Sequence, residues 1–258
     1  MSTPEPRPFK DHFSDAAPRY RLHRPVYPRA VVDFLAAVAP SHDLAWDAGC
    51  GSGQLSVLLA GRFGRVVATD ASAEQIAHAA RHPFVAYRVA RAEACGLPDR
   101  CVDLATAAQA AHWFDLETYY AEVRRVARPG AVIALITYGV FSISPEIDPI
   151  VRAFHGGTLR AHWPPERRPV DDGYRSLPFP FPEIDAPVME MSADWTLHDL
   201  IGYVGTWSAV RALERDEGSA PFAAFQRDLA AAWGDPGMRR RVRWPLRLRV
   251  GRVGTDSA

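Results

Sequence analysis

The chain has 258 residues, with 30 lysines and arginines balanced against 30 aspartates and glutamates, and three cysteines. That length suits one domain, or one domain with an elaborated cap, and supplies a sizeable core. The balance of charge argues against a nucleic-acid partner, which asks for a basic face. Cys50, Cys95 and Cys101 show neither metal spacing nor an even disulfide set, which points to a reducing compartment. The longest apolar run, Ala131–Ile136, is far too short to span a membrane, and the polar, proline-rich start has no leader-like apolar stretch. A cytoplasmic monomer or homodimer acting on a small molecule is the expectation.

In chain order, residues 1–8 are proline-rich and expected to be disordered, and residues 9–24 form an amphipathic aromatic segment. Helix Arg29–Val38 follows, its Val31, Val32, Leu35 and Val38 at helical spacing and Pro28 at its start. Leu44-Ala45-Trp46-Asp47 is a short apolar run ending in an acid. Glycines at 49, 51 and 53 come next, then the helical segment Leu55–Ala60. This order reads as strand, tight turn and helix, with glycines where backbone approaches a ligand and free N–H groups at the helix start. A dinucleotide fingerprint places its third glycine one residue later, where Gln54 stands. Asp47 would also repel a pyrophosphate there but favours a sulfonium and an ammonium, the charges of S-adenosylmethionine (SAM).

Arg65–Asp70 is a second strand ending in an acid, 17 residues after Gly53, near the spacing at which a carboxylate reaches ribose hydroxyls. Asp70 and Ser72 also precede the helix Ala73–Arg81 as possible N-caps, and both roles are compatible. A third strand, Phe84–Ala90, leads to Ala92-Glu93. The fourth, Val102–Ala107, leads to Gln109-Ala110-Ala111-His112-Trp113-Phe114. Helix Leu116–Ala127, with Asp115 as its cap, ends at Pro129-Gly130 before the fifth strand, Val132–Thr137. Residues 138–186 are rich in Pro, His, Arg and aromatics with little periodicity, too long for a plain connector, and read as a cap over the carboxyl edge. Val188–Trp195 reads as a sixth strand. Helices near Leu197–Arg211 and Pro221–Trp233 follow, then a last strand, Val242–Val250, in which Pro245 marks an edge or bulge. The basic run Arg239–Arg243 reads as a solvated strand edge.

Asp47-Ala48-Gly49-Cys50-Gly51-Ser52-Gly53, Asp70, Ala92-Glu93 and Arg128-Pro129-Gly130 together resemble the motif series of class I SAM-dependent methyltransferases. Phe9–Phe13 with Tyr20 and Arg24–Pro28, and Gln109–Asp115, resemble the subgroup related to trans-aconitate methyltransferases. The likeness covers roughly residues 9–137 and more weakly Trp195–Ser208. It implies an α/β, Rossmann-like seven-stranded, mostly parallel sheet with one antiparallel strand, helices on both faces and a helical cap. The chain then divides into a SAM-binding core with its closing segment (9–137), a cap insertion (138–186) and a C-terminal part completing the sheet (187–258).

The cofactor contacts so implied are Asp47, Gly49, Cys50 and Gly51 at the methionine end, Asp70 at the ribose, and Ala71, Ala92 and Glu93 beside adenine. Gln109, Tyr20 and Arg24 join them, the last two from the closing segment, where Phe13 is an apolar plug. Methyl transfer is an in-line displacement that needs an aligned nucleophile. A carboxylate acceptor needs no base, only a cation, and Arg is the best one. His112 is the candidate catalytic residue, as base or orienting donor; the alternative is a histidine satisfied by a neighbouring hydrogen bond. His112, Trp113, Tyr138, Phe141 and Trp163 are the expected acceptor contacts, with Arg152, His155, Arg160 and His162 as further cap candidates. Trp195 and Trp207 read as core or pocket wall. His155 and His162, seven residues apart, make a weak metal signal, and no metal is expected. O-methylation of a carboxylate or hydroxyl is the favoured activity. A SAM-binding protein without transferase activity and an NAD-dependent oxidoreductase are the rivals.

Overall fold

The computed structural model describes residues 25–254. The proline-rich start, Phe13, Tyr20 and Arg24 lie outside the described residues.

Five strands build the first half, with an α-helix between every consecutive pair but one. Helix α1 (Arg29–Val38) precedes β1 (Leu44–Ala48), α2 (Gln54–Leu59), β2 (Arg65–Asp70), α3 (Ala73–Ala77) and β3 (Val85–Val89). Then come β4 (Val102–Ala108), a 3₁₀ turn at Ala111–Trp113, α4 (Leu116–Val126) and β5 (Ala127–Tyr138). The second half contains α5 (Asp148–Ala153) continuing as a π-helical turn (Phe154–Thr158), α6 (Arg168–Asp171), β6 (Glu183–Ile184) and β7 (Met189–Trp195). It closes with α7 (Leu197–Gly205), α8 (Ser208–Glu217), α9 (Ala220–Trp233) and β8 (Arg240–Arg252).

The sheet order is β3-β2-β1-β4-β5-β8-β6, with β7 also on β8. Strands β1 to β5 are parallel, and β8 is antiparallel to β5, β6 and β7, so it alone runs against the rest. Glu183–Ile184 pairs with the far end of β8 and Met189–Trp195 with the near end. The outer position is therefore one strand broken at residues 185–188, where Pro187 offers no N–H to the ladder. Eight segments fill seven positions.

Three sequence expectations change here. Strand β8 is no edge, since β5 and β7 flank it. Its pairing to β5 ends at Leu246 and resumes as a bridge from Arg243 to Ser142. Alternation turns the missing N–H of Pro245 toward the gap between them, where no ladder bond is lost. The basic run is likewise employed: Arg241 pairs with Asp194 (2.7 Å), Arg239 donates to the Asp194 carbonyl and Arg240 to that of Trp233. The expected helix Leu197–Arg211 is two helices, because Thr206 Oγ1 donates back to the Tyr203 carbonyl (2.6 Å) and Trp207 is extended (ψ 134°).

Alternate residues of each strand feed two cores. Ala45, Val66, Leu104 and Val132 face one, with α1, α2, α5 and α7–α9; Trp46, Val67, Ala105 and Ile133 face the other, with α4. The cap segment joins both. Its Ile147, Val151, Phe154 and Leu159 are buried in the first core, and its Val170, Tyr174 and Phe181 in the second. Residues 160–168 thus cross the sheet between two anchored ends.

Candidate active site

The carboxyl ends of β1 to β4 and the loops after them enclose a cleft of about 520 Å³. This is the edge where open α/β sheets bind ligands. Asp47, Gly49, Cys50, Gly51, Asp70, Ala71, Ala92, Glu93 and Gln109 all line it.

The three loop glycines have different reasons to be there. All have positive φ: 65° at Gly49, 53° at Gly51 and 83° at Gly53. A Cβ on Gly49 would lie 2.5 Å from the Cβ of Ala110, and one on Gly53 would strike the Tyr87 hydroxyl. Those two glycines let backbone pack on protein. At Gly51 a Cβ would meet only Gln75 Oε1, at 3.8 Å, so this peptide borders open cleft. Its N–H donates to Asp70 Oδ2 (2.8 Å), while Asp70 Oδ1 accepts from Ser72 N (2.8 Å). Ser72, not Asp70, caps α3, accepting from Gln75 N (3.2 Å). Asp70 therefore fixes the loop from the wall of the cleft.

Asp47 lies in the cleft wall but is 1% exposed, and both its oxygens are taken: Oδ2 accepts from Ser56 Oγ (2.6 Å) and Oδ1 from Thr106 Oγ1 (2.8 Å). Burial pushes its carboxyl up to about 6 against those two hydrogen bonds. It therefore lies beneath the loop with a hydrogen bond on each oxygen and does not reach out into the cleft. Glu93 accepts from the Asp115 amide (2.9 Å) and pairs with Arg91 (3.2 Å). Burial raises the Cys50 thiol well above its ordinary value, so it serves as a small inert wall.

A group carrying a ribose and positive charge fits this lining. Asp47 and Asp70 face it from two strand ends, the small Ala71 and Ala92 leave room for a flat base, and the one arginine in the wall among the described residues, Arg91, is paired with Glu93. A diphosphate would meet two carboxylates instead of a cradle of donors.

A second cavity, of about 90 Å³, adjoins the cleft. Gln109, His112 and Trp113 line both. Gln109 sits at φ 54° and clamps the ends of β4 and β5: its Nε2 donates to the Tyr138 carbonyl (2.8 Å), and its Oε1 accepts from Thr137 Oγ1 (3.0 Å). His112 Nδ1 is 2.7 Å from the Tyr174 hydroxyl. Burial, and then Arg167, push the ring down to about 3, so it is neutral.

The smaller cavity is walled by Tyr138, His155, Trp163, Arg167, Tyr203, Thr206, Trp207 and Arg211. Tyr138 and Trp163 were expected from the sequence. Phe141 is not in this wall; it is buried behind it against Tyr203, Trp207 and Trp244. Arg152 and Arg160 are exposed, and His162 turns to Asp216 and Glu217, away from His155. Arg167, Tyr174, Tyr203, Thr206 and Arg211 escaped sequence reasoning. Arg167 had one available signal, a cation beside the Pro164-Pro165 turn. It pairs with Asp171 (2.7 Å) and lies over the Trp163 ring (4.1 Å).

Among the described residues no group of three His, Cys, Asp or Glu side chains could hold a metal ion. Nor, among them, is any helix long and apolar enough to cross a membrane. The three cysteines are free.

Comparison with known proteins agrees with this geometry. Residues 46–135 match the methyltransferase domain family. A methyltransferase of Dictyostelium discoideum is 34% identical over 222 residues, 82% of this chain and 83% of that one. A solved structure from Anaeromyxobacter dehalogenans, described as a type II methyltransferase, is 52% identical with a TM-score of 0.85, over 90% of this chain and 98% of that one. A malonyl-[acyl-carrier protein] O-methyltransferase of Enterobacter lignolyticus is 35% identical over 145 residues, 55% of this chain and 57% of its own. The oxidoreductase alternative falls with these matches: the chain belongs to the class I SAM-dependent methyltransferases.

Proposed function

We propose that the chain methylates an oxygen of a small organic acceptor, a carboxylate in preference to a hydroxyl, held in the smaller cavity. The observation that carries this reading is the shared wall: Gln109, His112 and Trp113 separate the cofactor cleft from a pocket whose lining, among the described residues, holds two arginines and no carboxylate. SAM supplies an electrophilic methyl group when bound. Asp47 and Asp70 supply charge and hydroxyl contacts at its end, and Arg167 and Arg211 orient an anion at the other. Most of the acceleration then comes from holding the two reactants aligned and dry.

The state of His112 favours one acceptor over the other. A phenol has a pKa of about 10, and a ring held at about 3 would take its proton uphill by about 10 kcal/mol. A carboxylate is already ionised and needs no base. His112 is therefore an orienting donor in this reading. The O-methyltransferase name of the Enterobacter lignolyticus relative agrees with an oxygen acceptor.

The test is release of S-adenosylhomocysteine from SAM over a panel of small carboxylic acids and phenols. Turnover of acids above phenols is expected. Tight binding of S-adenosylhomocysteine with no acceptor consumed would favour a SAM-binding sensor or partner protein.

A further inference from the structure

Tyr174 combines three features that packing alone does not require. It is fully buried, it sits at φ 66° where a bulky side chain is strained, and its hydroxyl reaches a histidine at the boundary between the two cavities. The surroundings enforce the strain. Tyr174 N donates to the Pro169 carbonyl (2.7 Å), and Arg249 Nη1 donates to the carbonyls of Tyr174 (3.1 Å) and Leu177 (2.7 Å). Gly173, just before it, lies so close to Arg247 that a Cβ there would be 2.8 Å from Cγ. Strand β8 thus holds the turn from below.

We propose that Tyr174 is a positioning residue, which donates to Nδ1 of His112 and so fixes the ring with its proton on Nε2, the nitrogen left to face the reactants. This rests on the acceptor placement proposed above. The direction of the bond follows from the hydroxyl's company. The amides of His112 and Ala111 favour negative charge on the Tyr174 oxygen, as donors do, whereas Thr137 Oγ1 gives its one proton to Gln109 Oε1. With donors on its lone pairs, the hydroxyl gives its own proton to Nδ1. Among the described residues His112 Nε2 has no hydrogen-bond partner, and an N–H there is free for an acceptor oxygen or carboxylate. Without the tyrosine hydroxyl, a neutral imidazole divides between two tautomers, one of which presents a lone pair to an anion.

The test reads the tautomer directly. In protein carrying ¹⁵N-histidine, two-bond ¹H–¹⁵N spectra near neutral pH distinguish protonated from bare ring nitrogens. His112→Gln identifies the His112 signals among nine histidines. The wild type is expected to show a protonated Nε2 and a bare Nδ1, and Tyr174→Phe to move both signals toward a tautomer mixture. With an acceptor in hand, Tyr174→Phe lowers kcat about tenfold and leaves KM within about twofold, and changes kcat by less than about twofold when added to His112→Gln. A wild-type proton on Nδ1, ring signals unmoved by Tyr174→Phe, or an equal loss in both backgrounds overturns the proposal. The wild-type spectrum stands even if the variant does not fold. If no acceptor is ever consumed, the methyl-transfer reading fails while the spectra still decide the role of Tyr174.

Discussion

The two halves of the proposed site are built on different principles. The cofactor half is local: its residues are consecutive turns at successive strand ends, and backbone geometry does most of the work. The acceptor half is assembled from remote pieces, with Trp163 and Arg167 from the cap, Tyr203 to Arg211 from the α7–α8 corner, and Tyr138 from the end of β5. The first half tolerates almost no change because glycine conformations and a buried carboxylate set it. The second consists of side chains on walls that the surrounding core already holds in place.

The sharpest way to break this contrast is at Gly49. Gly49→Ala places a methyl against Ala110 in a left-handed conformation, and a loss of about 3 kcal/mol in denaturant unfolding is expected. A loss under about 1 kcal/mol would show the loop to be softer than argued.

Asp47 gives an effect of similar size with a definite sign. Its native carboxyl is raised from 3.8 to about 6, so the folded chain holds a proton that the unfolded chain has released. Stability from this group is greatest below about pH 4 and falls by about 3 kcal/mol as pH rises to about 6. Asp47→Asn removes that fall, measured as the difference between the two unfolding curves. A positively charged cofactor favours the ionised form, so the ratio of SAM to S-adenosylhomocysteine affinity should decline as pH drops below about 6.

Arg167→Ala and Arg211→Ala test the other half. Each is expected to raise acceptor KM about tenfold or more and to leave S-adenosylhomocysteine affinity within about twofold. Equal damage to both affinities would dissolve the distinction between the halves. The smallest effect belongs far from either. Asp33→Asn breaks the exposed pair with Arg62 (2.6 Å) and should change stability by less than about 0.5 kcal/mol.

The same contrast explains what the sequence disclosed. The glycine loop, Asp70 and the Ala92-Glu93 turn were legible because each announces itself within a few residues of a strand end. Asp47 was legible in position but not in manner, since nothing local says that Ser56 and Thr106 will occupy both oxygens. Arg211 and Tyr174 carried no local pattern, because their meaning depends on a helix break at Thr206–Trp207 and on a turn clamped by Arg249. The broken outer strand was read as a single sixth strand beginning at Val188, because Glu183–Ile184 is too short to show alternation. Pro245 misled for a related reason: the gap that excuses it lies in a different segment of the chain.

The cap has footings in both cores, and each carries fully buried side chains, Ile147 and Leu159 on one side and Tyr174 on the other. Swinging it aside as a flap would cost about 1.5–3 kcal/mol for every such residue withdrawn. It behaves as a bridge, with abutments that stay put while the inward face of its span, at Trp163 and Arg167, can be rewritten. With the acceptor placed as proposed, altering that span changes what is methylated and leaves the methyl-donor machinery intact.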